Sequence, residues 1–164
     1  MILDLVTIKQ LGEKNLEANY RFRSFLKWKD TKRIDRTVHE LFEFYSSNID
    51  CTTCGNCCVI LQPQILPKDL KALTLAKNKT KAVFKKEYII LDEDGDMRFK
   101  NSSCPFLENK KCIVYDQRPA DCKSYPHLQK MDFTTRLLGV IDNYSICPIV
   151  FNVFEDLKKD LKFR

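Results

Sequence analysis

The sequence predicts a small single α+β domain in which helices at both ends flank a loop-rich centre with short β-hairpins. Three observations predict it. The first 48 residues carry apolar side chains at helical spacing with no proline to interrupt them. From Cys51 to Pro148 the chain changes character, holding all eight cysteines and all six prolines. A proline then opens a final apolar stripe.

In chain order, Ile8, Leu11, Ala18, Phe22 and Phe25 recur at helical spacing and predict one helix over Thr7–Lys29. Asp30–Thr31 reads as a break and a fresh N-cap. Ile34, Val38, Leu41, Phe42 and Tyr45 then form one stripe of a second helix that ends at Ser46–Asn48. Val59–Ile65 reads as a short strand, and Pro67 starts a short helix carrying Leu70, Leu73 and Leu75 that ends near Lys79. Tyr88–Leu91 and Met97–Phe99 flank Asp92–Asp96, where Gly95 supplies a hairpin turn. A second hairpin joins Pro105–Leu107 to Cys112–Tyr115 through Glu108–Lys111, and Thr134–Ile141 reads as a further strand. Pro148 opens the last helix, with Phe151, Phe154, Leu157 and Leu161 on one face. The expected organisation is 1–48 helical, 49–148 a cysteine-cluster metal-binding region, and 149–164 a C-terminal helix.

Length suits one domain with its own core. Met1 to Val6 carries Asp4 and no basic residue, unlike an export signal. No apolar run approaches the roughly 20 residues that span a bilayer. The expectation is a cytoplasmic protein away from membranes, with its thiols kept reduced. Eight cysteines in 164 residues fall below the density of short secreted disulfide scaffolds. Clustering in a reducing compartment then favours metal over disulfides.

The tightest cluster is Cys51-Thr-Thr-Cys54-Gly-Asn-Cys57-Cys58. Two-residue spacing lets a tight loop aim its thiolates at one centre, as zinc knuckles and iron–sulfur loops both do. Gly55 suits such a loop because it accepts positive φ. Cys51, Cys54 and Cys57 match the first three positions of the bacterial ferredoxin run, which the chain then leaves because Cys58 is adjacent and no proline follows; their spacing marks them as the first ligands to test. Cys58 is adjacent to Cys57. In extended chain the two would face apart, whereas in a helical turn they diverge by about 100° and both could reach one cluster. Cys104, Cys112, Cys122 and Cys147 lie farther apart, so the fold must gather them. Eight thiols make two sets of four, the number that a tetrahedral zinc or a cubane cluster takes.

CTTCGNCC, CPFL, the run C-I-V-Y-x-x-R-P-x-x-C, the Y-P after it and the last C-P resemble the CxxCxxCC, or YkgJ-like, cysteine-cluster proteins. These are described as zinc- or iron-chelating domains. The resemblance implies that Cys51, Cys54, Cys57, Cys58, Cys104, Cys112, Cys122 and Cys147 bind metal, and it leaves the metal open. A similar cluster occurs in flagellin lysine N-methylases, which adds methyl transfer to the implied activities. This chain is far shorter than those enzymes, and Gly12, Gly55, Gly95 and Gly139 form no nucleotide-binding loop.

Around the cysteines, Arg118 either offsets thiolate charge or locks its turn through Asp116 or Asp121. Tyr115 and Tyr125 are expected to pack about the site. His127 is a weaker candidate ligand, and His39 is expected on the surface. Arg21, Arg23, Lys27, Lys29, Lys32, Arg33 and Arg36, interleaved with Tyr20, Phe22, Phe25 and Trp28, form a basic stretch over 21–36. RNA or an acidic protein partner could dock there, with Asp30 and Asp35 diluting the charge. The net charge of +6 is no guide to a nucleic-acid partner, because bound thiolates would offset it. No zinc-deaminase, H-E-x-x-H, G-x-S-x-G or phosphate-loop pattern is present. The sequence therefore predicts a metal-chelating protein with an iron–sulfur cluster, [4Fe–4S] in type, and/or zinc. Its role would be redox, metal handling or support of a modification reaction; the alternatives are a zinc-only scaffold and, from the resemblance, a methyl-transfer-related enzyme.

Overall fold

A computed structural model describes residues 1–101 and 103–163. The chain is mostly helical with two small antiparallel sheets, as an α+β reading requires. In order it forms α1 (Leu5–Lys14), α2 (Leu16–Leu26), α3 (Thr31–Asn48), α4 (Cys51–Cys54), α5 (Asn56–Ile60), α6 (Leu70–Ala76) and α7 (Lys81–Tyr88). Then follow β1 (Ile89–Leu91), β2 (Met97–Phe99), β3 (Leu107–Glu108), β4 (Lys111–Cys112), α8 (Ala120–Ser124), α9 (Leu137–Tyr144) and α10 (Pro148–Asp160). Two compact units result. Met1–Asp50 and Pro126–Arg164 form the first, and Cys51–Tyr125 forms the second.

The first unit is a helical bundle centred on α10, which packs on α3, α9 and α1. Pro148 starts α10 without wasting a backbone donor, and from Pro148 to Phe154 every side chain is buried. Phe154 meets Phe22 of α2 edge-on at 5.2 Å. Asp4 caps α1 by accepting from the Thr7 amide at 2.8 Å, and Asp30 caps α3 by accepting from the Lys32 amide at 3.0 Å. The helix expected over Thr7–Lys29 is instead two. Asn15 leaves helical geometry between α1 and α2, and its Nδ2 donates to the Tyr144 hydroxyl at 3.1 Å.

Two further expectations are corrected in this unit. Thr134–Ile141 is not a strand. Leu137, Val140, Ile141 and Tyr144 are buried at i, i+3, i+4 and i+7, one face of α9. His39 is half-buried rather than at the surface, and its Nε2 is buried with no hydrogen-bond partner among the described residues. Asp35 also lies inside. Its carboxylate accepts from the amides of Asp132 at 2.9 Å and Phe133 at 2.8 Å, pinning the 3-10 turn Phe133–Thr135 to α3.

The second unit has its own apolar core of Ile65, Leu70, Leu73, Phe84, Ile89, Phe99, Phe106 and Val114. β1 and β2 pair as expected, with Ile89 opposite Phe99, and β3 pairs with β4, placing Cys112 opposite Leu107. Helix α7 adds to the expected elements. Thr80 caps it, and Phe84 stacks on Tyr88 one turn later at 5.0 Å. The strand expected at Val59–Ile65 is absent. Val59 and Ile60 complete α5, and Pro63 has no amide to offer a ladder. What remains is an extended link whose Ile65 amide donates to the Met97 carbonyl at 2.8 Å. No single helix among the described residues is long and apolar enough to cross a membrane; α9 and α10 pass such a test only as a pair bent by 115°.

Candidate metal centre

Seven of the eight cysteines lie in the second unit, on five short segments. Cys51 and Cys54 begin and end α4, so one helical turn places both on the same side. Gly55 follows at φ +61°, and a Cβ there would lie 2.9 Å from the Lys110 carbonyl oxygen. Glycine is thus needed twice, for its left-handed backbone and for the close approach of the β3–β4 turn. The same approach sets α4 against β4.

Cys57 and Cys58 both ride on α5, which settles how the adjacent pair is arranged: they diverge as neighbours in a helix rather than facing apart. The Cys104 amide donates to the Cys58 carbonyl at 3.4 Å, bringing the third segment to α5. Cys112 sits in β4, and it and Cys104 pack against the apolar core. Cys122 lies in α8, whose first turn is held in place by two side-chain hydrogen bonds. The Ala120 amide donates to Asp69 at 3.2 Å, and Asp121 accepts from the Gln64 amide at 3.1 Å.

Four of the sulfurs act on one another electrostatically. Among Cys58, Cys104, Cys112 and Cys122, every pair is near enough for the charge of one thiolate to act on the other. Burial, then these neighbours, pushes Cys122 up to about 12; burial likewise leads the rise of Cys104 and Cys112. Cys58 goes the other way, down to about 7, because the Cys57 side chain hydrogen-bonds to it and the Arg118 guanidinium attracts its charge. One readily ionised thiol therefore stands among three that burial keeps protonated.

Arg118 acts on two members of this set, Cys58 and Cys112. Its Nη1 donates to the Tyr115 carbonyl at 2.8 Å, and its guanidinium lies 3.9 Å from the Tyr115 ring centre. Tyr115 thus holds the cation that faces the sulfurs. The Tyr125 amide closes α8 on the Asp121 carbonyl at 3.0 Å. Lys77 is a contributor that sequence spacing did not reveal. It favours the Cys104 thiolate while its ammonium lies 5.1 Å from the Phe106 ring centre. Asp121 opposes ionisation of Cys122. Asp121 had a signal in its adjacency to Cys122, but Lys77, 27 positions before Cys104, had none.

His127 and Cys147 belong to the first unit. The His127 carbonyl accepts from Arg136 Nη1 at 2.9 Å, and Cys147 is buried at the start of α10, its amide bonded to the Asn143 carbonyl at 2.9 Å. None of the cysteines is joined in a disulfide. Among the described residues, no three His, Cys, Asp or Glu side chains are drawn to the spacing that a single bound ion would require.

The family described as "CxxCxxCC: putative zinc- or iron-chelating domain" matches residues 50–138, more than half of the sequence. The chain belongs to this family. No curated protein and no solved structure matches it. The CxxCxxCC match takes in seven cysteines and stops short of Cys147. The donors fit what the CxxCxxCC description names. Sulfur is a ligand for both zinc and iron, and Cys58, Cys104, Cys112 and Cys122 supply four sulfurs in a half-buried setting beside a cation.

Proposed function

We propose that Cys58, Cys104, Cys112 and Cys122 hold an iron–sulfur cluster of the [4Fe–4S] type, and that the protein works in redox chemistry, metal handling or support of a modification reaction. The mutual electrostatic reach of these four thiols carries the proposal. The ferredoxin-like spacing of Cys51, Cys54 and Cys57 on the adjoining turns favours iron–sulfur over zinc. Those three form a second thiolate group beside the first. A reducing compartment such as the cytoplasm suits both groups.

When bound, such a cluster supplies one-electron redox capacity. The chain's own residues do the rest. Cys104 and Cys112 present their sulfurs from the edge of the apolar core, which limits water on that side. Arg118, held by Tyr115, offsets thiolate charge at Cys58 and Cys112. A zinc-only scaffold is the second reading. It is favoured by one observation, the Cys51–Cys54 turn closed by left-handed Gly55 against the β3–β4 turn, an arrangement that suits a zinc knuckle.

Anaerobic purification followed by iron, zinc and sulfide analysis tests the proposal. Iron with acid-labile sulfide and broad visible absorption is expected, and both fall sharply in Cys58→Ala and Cys104→Ala. Stoichiometric zinc without iron in a colourless sample would overturn the cluster in favour of the knuckle.

A further inference from the structure

The first unit carries a surface that the metal centre does not use. Trp28 is the only tryptophan of the chain, and it is 91% exposed at the corner between α2 and α3. An indole ordinarily buries much of its surface, so one held almost wholly in solvent is available to a partner. The corner is fixed rather than loose. The Trp28 and Lys29 amides donate to the Phe25 and Leu26 carbonyls at 3.4 and 3.0 Å, and Asp30 caps α3.

Basic residues neighbour the indole in sequence. Lys27 and Lys29 flank it, and Lys32 and Arg33 follow on the exposed first turn of α3. Between Ala18 and His39 the acidic residues are Asp30 and Asp35. The structure removes Asp35 from this surface, because it is buried and bonded to the Asp132 and Phe133 amides.

We infer that this corner binds single-stranded nucleic acid, with the cations on phosphates and Trp28 stacked on a base. Stacking on an indole needs a base whose face is open, which a duplex does not offer away from its ends. A bilayer would need an apolar face to enter it. Phe22, Leu26, Ile34 and Val38 are spent in the core, and the exposed Leu16 and Phe44 stand at the far ends of α2 and α3, so no apolar face surrounds Trp28. Nothing at the corner distinguishes ribose from deoxyribose, so RNA and DNA strands are both expected to bind.

Because Trp28 is the sole tryptophan, its emission reports the contact directly. The reduced, as-purified full chain is titrated with labelled 12-nucleotide oligo(U) and oligo(dT), reading emission and anisotropy. Quenching of Trp28 with a matching anisotropy rise is expected. Four phosphate contacts give a salt slope near about −3, or about fiftyfold weaker binding between 50 and 200 mM salt. Trp28→Ala, followed by anisotropy, should bind about tenfold more weakly with an unchanged salt slope, and Trp28→Phe should recover most of that loss. Lys32→Ala should lower the slope by about 0.7, while Lys85→Ala/Lys86→Ala on α7 should change nothing. Three results would overturn the inference: no quenching at 50 mM salt, equal binding by Trp28→Ala, or stronger quenching by a blunt duplex, polyglutamate or phosphatidylglycerol vesicles.

Discussion

Gly55→Ala strikes the joint between the first cysteine turn and the β3–β4 hairpin, and Gly95→Ala provides its internal control. Both glycines have positive φ, +61° and +82°, so alanine at either carries a backbone cost of about 1–2 kcal/mol. Their surroundings differ. A Cβ at Gly95 meets nothing within 4 Å, whereas one at Gly55 meets the Lys110 carbonyl oxygen at 2.9 Å. That oxygen is backbone and cannot swing aside, so the hairpin must shift by a few tenths of an ångström. Overpacking of this kind costs about 1–3 kcal/mol more. Gly55→Ala should therefore destabilise the protein by about 2–5 kcal/mol against about 1–2 for Gly95→Ala. Because α4 packs on β4, the Gly55 variant should also lose bound metal while the Gly95 variant keeps it. Urea denaturation gives the first comparison, and elemental analysis of anaerobic samples gives the second. Equal stability losses with full metal content in both variants would refute the coupling of the cysteine turn to the hairpin.

Asp35→Ala should cost about 2–4 kcal/mol in urea unfolding, since two amide donors near the core lose their carboxylate; a loss under about 1 would show that water replaces it. The first unit should weaken in alkali. Burial, then the hydrogen bond to Asp156, pushes the Tyr45 phenol up to about 12 from its ordinary 10, so its contribution is complete below pH 10 and lost as pH rises towards 12. Tyr45→Phe should reduce the alkaline slope of stability between those limits, and an unchanged slope would leave Tyr45 without that role. Metal removal by a chelator under reducing, anaerobic conditions should raise amide hydrogen exchange in Cys51–Tyr125 more than in the helices of the first unit, and equal change in both units would count against a metal-held centre.

What the sequence reveals here is set by the range of the interaction. The Asp30 cap, the Pro148 helix start and the Gly95 hairpin act within a few residues, and each is in its expected place. The break at Asn15 could not be seen the same way, because the hydroxyl that it meets is 129 positions distant. Asp35 looked like a surface charge because its partners lie 97 and 98 positions on. The strand expected at Thr134–Ile141 was a different kind of error. A short apolar run serves either a strand or a buried helix, and here the i, i+3, i+4, i+7 burial of α9 decides it.

The cysteines divide along the same line. Local spacing marked Cys51, Cys54 and Cys57 as primary, because neighbours on a tight turn chelate with little help from the fold. Chelation in a protein depends also on what surrounds the sulfur. Cys51 is exposed, so water competes there and a bound metal gains little shielding. Cys58, Cys104, Cys112 and Cys122 are half-buried, mutually interacting, and flanked by the Phe106 side of the core and by Arg118. Three of these come from segments 46 to 64 positions after Cys58, so no local spacing could have grouped them. Cys58 is the hinge between the two sets. Its side chain bonds to that of the half-buried Cys57 before it on α5, and its carbonyl bonds to the amide of Cys104. The residue whose adjacency to Cys57 made it ambiguous in the sequence is the one through which both thiol groups are joined.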